Sequence, residues 1–141
     1  MCGINGLFRL RTSSMANIIQ TMNVALNHRG PDDNGVWESE LGLAMGHTRL
    51  AIQDLSHDGH QPMHSACHRY VMVFNGEVYN FEEIRQSLSQ KYFRGHSDSE
   101  VILSAIAEFG LERALRKFNG MFALAIWDKQ QKTLSLARDR V

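Results

Sequence analysis

MFALAIWDKQQKTLSLAR, residues 121–138, decides how this chain is built. Met121 to Trp127 is an unbroken run of seven apolar residues, the longest in the sequence. A strand that is apolar at every position, rather than at every second one, needs cover on both of its faces. The polar Lys129–Lys132 stretch and the returning Thr133–Ala137 segment make it the first arm of a hairpin. The segments just upstream read as helices, which can provide cover. Asn80-x-x-Glu83 and Ser97-x-x-Glu100 have the spacing of capping boxes. Each precedes an apolar face: Phe81, Ile84 and Leu88 after the first, and Val101, Ile102, Ala105, Ile106 and Phe109 after the second. Gly110 is placed to stop the second helix, and a short helix over Leu111–Lys117 follows.

The N-terminal half supplies further strands. GINGLFRL (3–10) reads as one, and Val36–Trp37 and Leu41–Arg49 read as two around a turn. Tyr70 to Phe74 is a buried strand expected to end at Asn75-Gly76. Met15, Ile18, Ile19, Met22, Ala25 and Leu26 mark one face of an amphipathic helix, with Ser13 and Ser14 as N-cap candidates. HRGPDDNG (28–35) is full of breakers and reads as a compact loop. Residues 53–69 read as a long polar loop. Strands early and late with helices between them give an α+β class.

Composition sets the limits. With 141 residues, 43% of them hydrophobic, the chain forms one domain that buries roughly two thirds of its unfolded surface. Fifteen Lys plus Arg balance fifteen Asp plus Glu. Neither a nucleic-acid partner nor a membrane surface is expected from that balance. No apolar run approaches the roughly 20 residues of a membrane span, and the N-terminus lacks the apolar stretch of a secretory signal. Two cysteines, Cys2 and Cys67, make no disulfide framework, so a cytoplasmic location is expected. The sequence closes on Arg138-Asp139-Arg140-Val141 without a further element.

Several residues could do chemistry. Removal of Met1 would leave Cys2 with a thiol and a free α-amino group on one residue. An α-amino group titrates near 7.7–8.0 in model compounds, roughly where a base for neutral pH should. Nucleophile and base would then coincide. Taken alone, the plainer reading of Cys2 is an inert packed thiol. Asn75-Gly76 after a strand is ordinarily a hairpin turn. A helix cap at Asn80 fits a hairpin poorly, and an Asn amide with a Gly N–H could instead hold an oxyanion. Arg49, at the end of an apolar strand, suits a carboxylate, or else a surface ion pair. Asp98 could bind an ammonium, or simply serve a helix start. His57, His60, His64, Cys67 and His68 invite a metal reading. Gly59 and Pro62 break any helix that would align them, and no metal site is expected.

These pieces resemble, in order, the N-terminal glutaminase domain of class II glutamine amidotransferases, nearest the asparagine synthetase type. The stretches are MCGI with Gly6, HRGPDDNG (28–35), HTRLAIQDL (47–55), GHQPM (59–63), FNGEVYNFEEIR (74–85), GHSDSEVIL (95–103), FNGMFALAIWD (118–128) and LARDRV (136–141). Pro31-Asp32 is what favours the asparagine synthetase branch over relatives making amino sugars or purine precursors.

The resemblance implies an N-terminal-nucleophile-hydrolase sandwich of helix, sheet, sheet and helix, with antiparallel sheets. It implies Cys2 as nucleophile, and Asn75 and Gly76 as oxyanion hole. Arg49 would hold the carboxylate of L-glutamine, with Leu50, Ala51, Ile52 and Gln53 as adjoining wall. Glu77 and Asp98 would lie near its amino group. The half-reaction needs no cofactor; ATP and magnesium belong to a synthetase domain beyond this sequence. In the family the last strand runs into further strands and then into that domain. Residues 1–141 are therefore expected to be an incomplete glutaminase domain, truncated at its C-terminal end, with an apolar sheet edge or face left open. Expected partners are L-glutamine and the synthetase domain or closing strands, with a homodimer left open. Two other readings stand beside this one: a non-catalytic glutamine-binding or interaction module completed by another chain, and a His-loop metal protein.

Overall fold

The computed structural model describes residues 1–9, 14–52 and 55–140. Strands β1 (Gly3–Phe8), β2 (Asp33–Glu38) and β3 (Leu43–Arg49) form one antiparallel sheet in the order β1-β3-β2. Strands β4 (Met63–His64), β5 (Tyr70–Val78), β6 (Gly120–Asp128) and β7 (Thr133–Arg138) form a second, in the order β4-β5-β6-β7. Helix α1 (Ala16–Leu26) lies between β1 and β2 in sequence; α2 (Phe81–Ser87), α3 (Asp98–Phe109) and α4 (Leu111–Leu115) lie between β5 and β6.

Three apolar clusters define four layers. Met15 and Ile19 of the α1 segment pack with Ala44, Leu7 and Val36 on the outer face of the first sheet. Leu43 and Met45 meet Val71, Val73 and Trp127 between the sheets. Met72, Phe74, Leu124 and Ile126 meet Ile102, Ile106 and other α2–α4 residues on the outer face of the second. Alternation along β5 sends Val71 and Val73 to one side and Met72 and Phe74 to the other. Both faces of β5 and β6 are thus covered, as the apolar run at 121–127 requires. The architecture is an αββα sandwich of antiparallel sheets.

Local signals were partly overruled. Asn75-Gly76 does not end β5; the strand continues to Val78, with Asn75 opposite Ala123 and Gly76 opposite Phe122. Nine paired residues of β6 carry the strand through its Asn-Gly, so turn propensity loses to the ladder. HRGPDDNG is loop only over residues 30–32: a 3₁₀ turn ends at Arg29 and β2 already begins at Asp33. Neither capping box forms. Asn80 receives the N–H of Asn119 at 3.0 Å and donates to the Lys117 carbonyl at 2.9 Å, stapling two connections. Glu100 accepts from the Arg94 and Gly95 amides, each at 3.0 Å, and holds the loop before α3. The α1 start is held by Glu38 of β2, which accepts the Met15 N–H at 2.7 Å and the Ser14 hydroxyl at 3.0 Å. Ser13 lies outside the described residues. Gly110 does end α3, at φ +82°, where glycine pays no steric cost.

Between β1 and β7 runs an apolar groove of about 310 Å³, lined by Leu7, Phe8, Leu134 and Leu136 among others. Leu136 is 74% exposed.

Candidate active site

The space between the sheets changes character along its length. On β3, Leu43, Met45, His47 and Arg49 share a face; on β5, Val71, Val73, Asn75 and Glu77 do. The first two of each row form apolar core. Beyond them lies a cleft of about 230 Å³, lined by Cys2, Arg49, Leu50, Ala51, Ile52, Asn75, Gly76, Glu77, Ser97 and Asp98. Every site residue expected from the sequence lines this one cleft except Gln53, which lies outside the described residues.

Each is held by identifiable contacts. Cys2 precedes β1, and the Leu50 N–H donates to its Sγ at 3.4 Å. Arg29 Nε donates to the Cys2 carbonyl at 3.1 Å. Arg29 belongs to HRGPDD, and so does Asp32, whose Oδ2 accepts the Ala51 N–H at 2.8 Å. That loop therefore supports both Cys2 and the 50–51 wall. Gly30 within it lies against the Thr48–Arg49 backbone, where a Cβ would stand 2.5 Å from the Thr48 carbonyl carbon.

Arg49 is 8% exposed, and its Nη1 donates to the Ser56 carbonyl at 2.7 Å. Its guanidinium rests on Gly59, where a Cβ would come within 2.6 Å of Cζ. The polar 55–60 segment is thus the seat of this arginine.

Asp98, the first residue of α3, accepts the Val78 N–H at 2.8 Å and the Ser99 hydroxyl at 3.3 Å. It is 4% exposed. Burial, reinforced by nearby Glu77, outweighs these bonds and pushes its carboxyl up to about 6. A cation delivered beside it would restore its charge. Two polar atoms facing this region, Asn75 Oδ1 and Ser97 Oγ, are buried without a hydrogen-bond partner. Gly76 has φ +149° and lies so close to β6 that a Cβ would meet Phe122 Cα at 2.5 Å, so only glycine fits.

Sequence reasoning assigns no place in the site to His47, Gln61, Gly59, Arg29 or Asp32, although all lie in the stretches that carry the resemblance. For His47 a signal existed: it shares a strand face with Arg49. The others act through chain reversals that no periodicity encodes. Of the five metal candidates, the fold brings His57 and His60 together with Asp33, their ligand atoms within 4.8 Å of one another. His60 Nδ1 pairs with Asp33 at 2.7 Å, and the His57 and His60 rings stack at 5.0 Å. His64, Cys67 and His68 do not join them.

A family model described as a glutamine amidotransferase domain matches residues 1–141, and the chain belongs to that family. It is 38% identical over 149 residues to asparagine synthetase (glutamine-hydrolyzing) 3 of Bacillus subtilis, covering 100% of this chain and 24% of that protein. It is 32% identical over 153 residues to amidase chry2 of Gibberella zeae, covering 99% of this chain and 23% of that protein. The chain thus spans about a quarter of the length of these curated relatives. The solved structure of the B. subtilis glutamine phosphoribosylpyrophosphate amidotransferase, complexed with ADP and GMP, matches with a TM-score of 0.76 at 18% identity. That match covers 99% of this chain and 37% of that one, and it shows the same fold, two antiparallel sheets layered between helices. Among the described residues no helix is long and apolar enough to cross a membrane.

Proposed function

We propose that this chain is the glutaminase part of an asparagine synthetase-like amidotransferase, hydrolysing L-glutamine to glutamate and ammonia. The observation that carries the reading is the convergence of Cys2, Arg49, Asn75, Gly76 and Asp98 on one cleft. They come from three strands or strand ends and one helix start, so no single segment explains it.

Arg49 takes the substrate carboxylate, and Asp98 with Glu77 takes its ammonium. The side-chain amide then lies toward Cys2. The Cys2 thiolate attacks the amide carbon, and the oxyanion that forms accepts from the Asn75 amide and the Gly76 N–H. The α-ammonium of Cys2 gives a proton to the nitrogen as the C–N bond breaks, and ammonia leaves. The resulting thioester is hydrolysed by water, whose proton the α-amine removes; the thiolate leaves as glutamate forms. All groups in this half-reaction are the protein's own, so no cofactor is called for. Met1 must be removed first, and its 70% exposure leaves it open to an aminopeptidase.

We further propose that the ammonia passes to an ATP- and magnesium-dependent synthetase domain with an acceptor such as aspartate, because the synthetase relative is about four times as long as its matched part. The apolar groove between β1 and β7 supports additional strands or a partner as cover. A cytoplasmic location follows from the free thiols.

Intact-mass measurement with a diazo-ketone analogue of glutamine tests the reading. Loss of Met1 and a single adduct, absent in Cys2→Ala, is expected. Retained Met1 and no adduct would overturn it in favour of a non-catalytic glutamine-binding module.

A further inference from the structure

We infer that His47 and Gln61 are positioning residues for the oxyanion hole: together they replace a missing neighbour strand at Phe74 and so fix the Asn75–Gly76 backbone. The inference rests on the glutaminase reading of the cleft.

In an antiparallel strand the N–H and C=O of one residue point to the same side. On the β4 side of β5, pairing runs only to Met63 opposite Met72. Phe74, two residues on, therefore has no strand to bond. Its N–H donates instead to Gln61 Oε1 at 2.6 Å, and its carbonyl accepts from His47 Nε2 at 3.2 Å. Both side chains are buried, His47 at 0% and Gln61 at 4% exposure. Val78, four residues further along the same side, donates to Asp98. Gly76 lies midway between these two anchors and faces the cleft. The peptide plane between Phe74 and Asn75 is gripped at one end of this stretch and the plane before Val78 at the other, both from the same side of β5.

Which nitrogen of His47 carries the proton follows from its partner. A carbonyl only accepts, so Nε2 holds the hydrogen. Nδ1 is buried without a hydrogen-bond partner. Burial holds the imidazole down at about 4, so the ring is neutral at physiological pH. It has one proton and one use for it. His47 follows Leu43 and Met45 on the same strand face, with the charged or polar Asp33, His60 and Arg49 near enough to act on its ring. Its value lies in spanning from the first sheet to the one β5 carbonyl that precedes the oxyanion residues.

The test is steady-state glutaminase kinetics on the full chain with His47→Leu, His47→Gln, Gln61→Leu, Asn75→Ala and His47→Leu/Asn75→Ala. His47→Leu and Gln61→Leu are expected to lower kcat about 10–100-fold with KM for glutamine within about twofold, since only transition-state donors move. His47→Gln, which still offers a donor, should recover most of kcat. The double variant should lose less than the product of the two single losses, because the Asn75 amide that His47 helps to aim is already gone while the Gly76 N–H remains. Should His47→Leu not fold, His47→Asn, whose amide is too short to reach Phe74, replaces it. Unchanged kcat in these variants, or losses that multiply in the double variant, overturns the inference while leaving the glutaminase reading intact. No turnover in the wild type overturns the glutaminase reading and the inference with it, whereas an Asn75→Ala variant as fast as wild type removes Asn75 from the oxyanion hole and overturns the inference alone.

Discussion

The guanidinium of Arg49 lies against Gly59, a contact between a strand end and a 3₁₀ turn (His57–Gly59) ten residues away. A methyl group cannot be accommodated there without moving the arginine. The Ser56 carbonyl, which accepts from the same guanidinium, fixes it from a second direction.

Gly59→Ala is therefore expected to act on substrate binding. Its backbone tolerates alanine, but the new methyl would displace Arg49. The lost charged hydrogen bonds are each worth about 1.5–3 kcal/mol. KM for glutamine should rise about 10–100-fold with kcat nearly unchanged. Kinetics with glutamine check it, and an unaltered KM would detach Arg49 from the carboxylate.

Asp98→Asn should separate stability from binding. The folded carboxyl titrates at about 6, above its ordinary 3.8, so folding favours the protonated form. Stability from this group is fullest below the lower value and is lost as pH rises through the higher one. Replacement by Asn, which can still accept the Val78 N–H, is expected to stabilise the protein by roughly 1–3 kcal/mol at pH 8 and by little at pH 4. Thermal melts at the two pH values check this. In the wild type, kcat/KM for glutamine should fall as pH drops below about 6, because a neutral Asp98 no longer attracts the ammonium.

Asn75→Ala should lower glutaminase turnover by roughly 10²–10³-fold. The side chain is not needed to hold β5, whose backbone pairing continues through it. A variant that folds like the wild type and turns over at the wild-type rate would remove Asn75 from the oxyanion hole.

Helix starts offer a contrast in stability. Ser97 is the N-cap of α3 by position, yet its hydroxyl bonds nothing. Ser97→Ala should cost less than about 0.5 kcal/mol, against about 1 for an ordinary serine cap. Glu38→Ala removes the acceptor that holds the α1 start and should cost about 1–2 kcal/mol. Denaturant melts of the two variants distinguish these.

Periodicity and composition made much of this molecule legible from its sequence. The two-sided apolar strand at 121–127, the helical face from Met15 to Leu26 and the order of the short stretches around Cys2, Arg49, Asn75 and Asp98 are one-dimensional patterns. They encode burial and family. What they could not encode is which segment satisfies which orphan group. Asn75-Gly76 reads as a turn because propensity is local, and it is a strand because β6 lies alongside. Asn80 and Glu100 read as caps and bind other loops. His47 and Gln61 are 14 residues apart in sequence and meet only at the two polar groups of Phe74. A buried backbone N–H or C=O must find a partner wherever the chain brings one. The sequence thus determined the layers and the chemical groups of the site; the tertiary structure decided who holds them in place, because hydrogen-bond satisfaction is settled in space rather than along the chain.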